Sequence, residues 1–467
     1  MYTKTTLTMK KIFLSLLFCS SLGITAQDYI PPKEAEVQQK LKQWQDKKFG
    51  LIIHWGLYSI PGIVESWNLC SEEEDWIPRP ADIKYDDYKK WYWGLSKQFN
   101  PVKFNPDAWA KMAKEAGMQY VVFSTKHHDG FNLFDTQQTD FKVTNPEVPF
   151  SKNPKSNIAK EVFNAFRKEG LWVGAYFSKP DWHSENYWWP RYATPNRNNN
   201  YSITKNPERW NAFKKYTYNQ LEELATKYGK LDLFWLDGGW VRPSDPEKYK
   251  DDKSYKGSQD IDMDKIAAML RGHQKDLIIV DRSVHGIYEN YTTPEREIPE
   301  KPLNYPWEAC DPLGDNWGYV PNDPMKSTNK VIHTLAEIIS KGGNYLLGIG
   351  PDGNGEFDPR VTKTLNEIGS WIRVNGEAVY GTKPVAPYAD GNLRFTQKGN
   401  AVYAFYLIPE NSTQLPGNIS FSFPGKIRKI SVLGTGKALK FNQKGNTITI
   451  QINSIPSQKH AVVFKME

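Results

Sequence analysis

Between Lys48 and Gly376 short apolar runs alternate with amphipathic ones, and this alternation limits the possible fold more than any other feature of the chain. "KFGLIIHWG", "YVVFSTKHHDGF", "LWVGAYFSKPDW", "LDLFWLD", "LIIVDR" (277–282) and "NYLLGIGPDG" read as short, nearly unbroken apolar strands. Between and after them lie "DAWAKMAKEAG", "NIAKEVFNAFRKEG", "PERWNAFKKYTYNQLEELATKYG", "DMDKIAAMLRGHQ", "TNKVIHTLAEIISKGG" and "PRVTKTLNEIGSWIRVNG". These have helical apolar spacing, and the first three close on Gly117, Gly170 and Gly229, as helix ends do. Strands apolar on both faces, each followed by a helix, predict parallel strands covered by helices. About seven such units over roughly 350 residues favour a (β/α)8-type TIM barrel over an open doubly wound sheet. No G-x-G-x-x-G opens the first unit, so a dinucleotide site has no support.

From about Val385 the period changes to two. "NLRFTQKGNAVYAFYLI", "NISFSFPG", "KISVLGTG", "NTITIQI" and "HAVVFKME" alternate apolar with polar residues and are separated by Gly, Asn and Pro, which predicts a small antiparallel β-sandwich. The expected organisation is therefore an export signal at 1–26, a barrel at 33–382 and a β-sandwich at 385–467. The export signal is read from "MKKIFLSLLFCSSLGITAQ" after Met9: two lysines, an apolar stretch, then small residues with a cleavage site near Ala26. It predicts a periplasmic or extracellular protein. Cys19 raises a lipid anchor, but Phe18 stands where a lipobox needs a small residue. No second apolar run reaches the ~20 residues that span a bilayer.

The net charge of +7 on 467 residues includes Lys4, Lys10 and Lys11 of that leader, and no run of like charge occurs, so neither nucleic acid nor a membrane surface is an expected partner. Cys70 and Cys310, far apart, make neither a disulfide framework nor a metal cluster. The 17 Trp, 25 Tyr and 22 Phe fit either a large aromatic core or a site for sugars and other flat-faced ligands.

In a parallel barrel the C-terminal strand ends face the active site. Here the expected strands end on His54, His127 and His128, Tyr176, Asp237 and Arg282. Five strands delivering polar groups to one rim point to chemistry. Gly238 and Gly239 after Asp237 leave the backbone open to a ligand. His54, His127, His128, Asp129 and Asp237 are possible metal ligands, yet no HExxH or H-x-H pair occurs, and adjacent histidines on a strand point to opposite faces. "DGNGEFD" (352–358) mimics a calcium loop, but Phe357 and Lys363 occupy the positions that need Gly and Glu, so it reads as a turn. A serine elbow G-x-S-x-G is absent. Paired carboxylates remain: Asp237 with Glu289, Glu295, Glu297 or Glu300 from the loop after "LIIVDR", a spacing that does not choose among the four. A glycosidase, a non-catalytic sugar-binding protein and a metal-dependent barrel hydrolase are the three functions these residues admit.

"KFGLIIHWGLYSIPG", "STKHHDGFNLFDT", "DLFWLDGGW", "DRSVHG…YTTPE", "WEACDPLGDNWGY" and "LLGIGPDGNGEFDP", in that order from about residue 35 to 380, resemble the α-L-fucosidases of glycoside hydrolase family 29. The resemblance implies a retaining exo-hydrolase, without cofactor or metal, that removes terminal α-L-fucose from fucosylated oligosaccharides or glycans. By that likeness Asp237 is the nucleophile, and Glu295 in "YTTPE" the acid/base, with Glu297 and Glu289 as alternatives. His54, Trp67, His127, His128, Tyr176, Trp235, Arg282 and Trp317 are implied in binding fucose. Imidazoles and a guanidinium suit its three free hydroxyls, and an indole suits its methyl group. The aromatic insert "NYWWPRYATPNRNNNY" (186–201) is expected to help build the leaving-group side.

Overall fold

The computed structural model describes residues 29–70, 77, 79, 82–194, 196–245, 257–410, 412, 415–452 and 459–467; the expected export signal and Cys19 lie outside them. Seven parallel strands form one curled sheet: β1 (Phe49–Ile53), β2 (Tyr120–Lys126), β3 (Trp172–Ser178), β4 (Leu233–Asp237), β5 (Ile278–Asp281), β6 (Glu308–Pro312) and β7 (Asn344–Ile349). Their spatial order is β5-β4-β3-β2-β1-β7-β6. The strands are buried on both faces, which is why they read as apolar runs rather than alternating ones.

The two sheet edges, β5 and β6, are joined by the irregular segment 288–296. On one side Asn290 N donates to Ile279 O at 3.0 Å and Asp281 N to Tyr288 O at 2.9 Å. On the other, Glu308 N donates to Thr292 O at 2.9 Å, Cys310 N to Pro294 O at 3.2 Å and Arg296 N to Cys310 O at 2.9 Å. This segment acts as the eighth stave of the barrel. It escapes a periodicity reading because Pro294 cannot donate to a ladder and the run is too polar for a core strand. Strand β6, "EACDP", was also not foreseen: its acids and proline hide it, although Glu308 and Cys310 face the lumen.

Helices α1 (Ala35–Lys47), α2 (Tyr85–Gly94), α3 (Pro106–Glu115), α4 (Ile158–Lys168), α5 (Pro207–Lys227), α6 (Met263–His273), α7 (Thr328–Ser340) and α8 (Pro359–Asn375) complete this part of the chain. The lumen is filled by Ile52, Tyr120, Val122, Tyr176, Leu233, Trp235, Ile278, Val280, Tyr291, Cys310 and Leu346. Helix α1, absent from the sequence reading, contributes Val37, Leu41 and Trp44 to the same cluster and plugs the barrel floor. The Trp44 ring stacks on Tyr291 at 4.0 Å, and Lys40 clamps the helix to Asp232 at 2.7 Å and Asp276 at 2.9 Å.

The remaining strands are β8 (Lys383–Asp390), β9 (Leu393–Lys398), β10 (Ala401–Leu407), β11 (Asn418–Ser422), β12 (Ile430–Val432), β13 (Phe441–Lys444), β14 (Thr447–Gln451) and β15 (Ala461–Met466). They form two antiparallel sheets, ordered β12-β15-β10-β9-β8 and β11-β14-β13. Phe395, Phe421, Ile448, Ile450 and Phe464 fill the space between them. The sandwich sits on α7 and α8: Trp371 Nε1 donates to Ala461 O at 3.0 Å and Asn329 Nδ2 to Ile408 O at 3.0 Å.

Candidate active site

Asp237 is the last residue of β4, and the barrel curvature turns it to the rim. Tyr176 Oη donates to Asp237 Oδ2 at 2.7 Å, and Arg282 donates through one amino group to Asp237 Oδ1 at 3.1 Å. The other amino group of Arg282 bonds Glu295 Oε2, and Trp317 Nε1 donates to Glu295 Oε1 at 3.1 Å. One guanidinium therefore holds both carboxylates, side by side on its fork. The Arg282 guanidinium lies 5.0 Å over the Trp235 ring, which stacks on Tyr176 at 5.5 Å.

The three histidines join this group. His128 Nε2 is 3.7 Å from Asp237 Oδ2, and its Nδ1 lies 2.6 Å from Ser178 Oγ. Since Ser178 Oγ donates to Pro180 O at 2.8 Å, it accepts from His128, which leaves Nε2 of the neutral ring as an acceptor facing the pocket. His127 Nδ1 shares a short hydrogen bond with Ser66 Oγ and lies parallel to Tyr176 at 5.7 Å. The rings of His54 are 5.1 Å from Tyr176 and 5.2 Å from Trp317. Among the described residues nothing bonds the buried His54 Nδ1. Trp67 meets His128 edge-on at 5.1 Å.

All eight expected binding residues thus converge on Asp237 and Glu295, with three differences from the sequence expectation. Strand β2 ends at Lys126, so His127 and His128 occupy a turn where strand alternation no longer applies; their rings are 4.3 Å apart on the same side. Tyr176 lies inside β3 and Trp235 inside β4, reaching the site from the lumen rather than from strand ends. Gly238 serves the backbone: its φ is +90°, and a Cβ there would lie 2.3 Å from Pro180 Cδ. Of the alternative glutamates, Glu289 is buried and engaged with His285 Nδ1 at 3.0 Å and Ser283 N at 3.0 Å, while Glu297 and Glu300 are exposed.

The electrostatics follow from burial around one charge pair. Burial pushes the Asp237 carboxyl up, but the Arg282 charge above all, with the Tyr176 hydroxyl and the Gly238 amide, outweighs it and holds the group well below the ordinary carboxylate range. Burial lowers His54 to about 3 and His128 to about 4 against the pull of Asp237, and takes His127 well below its usual value. All three imidazoles are neutral at physiological pH. Among the described residues no three His, Cys, Asp or Glu side chains are arranged to hold a metal ion. Asp129 points instead to Tyr92 Oη at 2.7 Å. In the 352–358 turn Asp352 Oδ1 accepts from the amides of Asn354 and Glu356, both at 2.9 Å.

Several residues of the site were not legible in the sequence. Glu65, only 2% exposed, accepts from Gly318 N at 2.6 Å beside Trp317. Burial raises it to about 7 against the amides of Gly318 and Trp317. Its signal was the acid directly before Ser66 and Trp67. Lys179 carries no motif at all, yet its amide donates to Asp237 O at 2.9 Å and its Nζ bonds Asp281 and Val241 O, strapping together the ends of β3, β4 and β5. Trp182 and Trp240 pack on His128 at 5.1 and 5.3 Å.

Known proteins agree with this picture. The α-L-fucosidase family model matches residues 16–377. The tissue α-L-fucosidase of Bos taurus is 30% identical over 463 residues, covering 92% of this chain and 88% of that protein. The Homo sapiens tissue enzyme is 28% identical, covering 89% and 85%. Among solved structures, α-L-fucosidase isoenzyme 1 from Paenibacillus thiaminolyticus superposes with a TM-score of 0.75 at 30% identity, covering 92% of this chain and 99% of that one. A trapped covalent intermediate of a Bacteroides thetaiotaomicron α-L-fucosidase, formed with 2-fluoro-fucosyl fluoride, superposes with a TM-score of 0.73 at 25% identity, covering 92% and 96%. Matched through its barrel in sequence and over nearly its whole length in structure, the chain belongs to the α-L-fucosidases of glycoside hydrolase family 29.

Proposed function

We propose that the protein hydrolyses terminal α-L-fucose from fucosylated glycans with retention of anomeric configuration, Asp237 acting as nucleophile and Glu295 as acid and then base. The observation that carries this reading is the shared guanidinium: Arg282 binds one oxygen of each carboxylate. A guanidinium bonded to both brings the two carboxylates to one pocket, the arrangement that double displacement uses.

In the first step Asp237, kept ionised by Arg282, bonds the anomeric carbon while Glu295 gives its proton to the departing oxygen. Esterification removes the charge of Asp237. Glu295, having given up its proton, then takes one from the water that attacks the anomeric carbon and releases Asp237. Neutral His54 has both ring nitrogens for sugar hydroxyls, His127 and His128, each tied through Nδ1 to a serine, offer Nε2, and the Trp235, Trp317 and Trp67 rings offer apolar surface to the fucose methyl and ring faces. The N-terminal leader, from its sequence alone, supports export to the periplasm or beyond.

Aryl α-L-fucoside turnover tests the reading. Wild type hydrolyses the substrate, and Asp237→Ala loses on the order of 10⁴-fold or more in kcat while folding normally. Undiminished turnover in the folded variant would falsify the assignment of the nucleophile.

A further inference from the structure

A second cavity, of about 720 Å³, opens beside the site between α2 and the insert that follows β3. Tyr85, Lys89, Trp93, Trp182, Trp188 and Tyr192 line it. It shares a wall with the pocket described above. The Trp182 ring lies 5.1 Å from His128 and 5.6 Å from Trp67 on the pocket side, and stacks on Trp188 at 5.0 Å, within 5° of parallel, on the other. Its architecture is anchored to the same elements. Trp93 Nε1 donates to Asp129 O at 3.3 Å, next to His128. Tyr85 Oη ties Leu69 O at 2.6 Å to Thr194 at 2.8 Å, joining the turn that carries Trp67 to the insert.

The lining selects a chemistry. Indole and phenol faces match the C–H faces of pyranose rings, and the interleaved polar groups match hydroxyls. Lys89 pairs with Asp86 at 3.0 Å and Lys90 with Asp87 at 3.5 Å, and Glu185 and Arg191 add one charge of each sign, so no large net field calls for an anionic ligand. Position matters as well. The cavity is built on the segments after β1 and β3, whereas Glu295 lies between β5 and β6, across the mouth. The sugar bonded to fucose departs toward Glu295, and the cavity is placed for another arm of the same glycan.

We propose that this cavity is a neutral-carbohydrate subsite that binds a second branch of a branched fucosylated oligosaccharide, an inference that rests on the fucosidase reading above. It gives the aromatic insert at 186–201 a role in holding another branch, in place of the leaving-group side expected from the sequence.

The test compares Trp93→Ala and Tyr192→Ala with wild type on an aryl α-L-fucoside, a fucosyl disaccharide and a branched fucosylated pentasaccharide. Tyr192 is 45% exposed, so its removal leaves the fold intact. The expected result is kcat/KM within about twofold on the two small substrates and about tenfold lower on the pentasaccharide, through KM. Calorimetry with the defucosylated tetrasaccharide gives a second readout: wild type binds it and the variants lose binding about tenfold. Equal losses on all three substrates, no loss on the pentasaccharide, or no binding of the tetrasaccharide to wild type would overturn the proposal. Failure of wild type to cleave the aryl fucoside would instead overturn the fucosidase reading, while the tetrasaccharide titration would still judge the cavity.

Discussion

Arg282 is the residue on which the site's electrostatics turn. It is the largest influence opposing burial at Asp237 and the direct partner of Glu295. Arg282→Met leaves the buried carboxyl of Asp237 without its main counter-charge, so burial drives that group upward. As the proposed nucleophile, Asp237 must be ionised to attack, so the acid limb of the kcat/KM profile should move to higher pH, with activity lost earlier as pH falls. The maximum should drop about 10²–10³-fold, as for removal of one preorganised charge in a buried site. A pH–rate profile checks both, and an unmoved acid limb would count against the coupling. At this scale the sequence was informative where chemistry coincides with strand ends: His54, Asp237 and Arg282 were placed by the run of apolar residues before them. Tyr176 and Trp235 were found but given the wrong station, because an inward-facing residue and a terminal one look alike in an unbroken apolar strand. Glu65, Ser178 and Lys179 were missed because their roles depend on partners brought from other loops.

At the scale of elements, the barrel's regular strands were legible and its closure was not. The stave at 288–296 and strand β6 carry Pro294, Glu295, Glu308 and Asp311 where a periodic reading looks for apolar residues. The same departure carries function, since the irregular stave delivers Glu295 to Arg282. Strand β6 places Glu308 in the lumen, fully buried, where Tyr120 Oη donates to it. Burial raises this carboxyl from 4.5 to about 8, outweighing the hydrogen bond from Tyr120. Glu308 is thus protonated in the folded protein at neutral pH. Because its folded value lies above its unfolded one, its contribution is fully present below about 4.5 and is lost as pH rises toward 8. Wild type should lose about 2–4 kcal/mol through this group between pH 4.5 and 9. Glu308→Gln, neutral throughout, should be spared that loss. Urea denaturation of both proteins at the two pH values measures the difference; parallel stability curves would show that Glu308 is ionised in the fold.

The whole molecule is a barrel plugged below by α1, closed at one seam by an irregular stave, and braced on the α7–α8 side by a β-sandwich. The sandwich was evident from its period of two, and the barrel from its alternation. The floor helix α1 was not, because "AEVQQKLKQWQDK" is mostly polar and shows its apolar side only once Val37, Leu41 and Trp44 meet the lumen. What this architecture accomplishes is to bring groups from β1, β2, β3, β4, β5 and the closing stave together around Asp237 and Glu295. On the proposed mechanism its central consequence is a covalent bond between Asp237 and the anomeric carbon. Incubation with 2-deoxy-2-fluoro-fucosyl fluoride, followed by proteolysis and mass mapping, tests this directly. A fluorofucosyl adduct on Asp237, with turnover lost in step with labelling, is the predicted result; an adduct on Glu295 or any other residue, or inactivation without one, would contradict it.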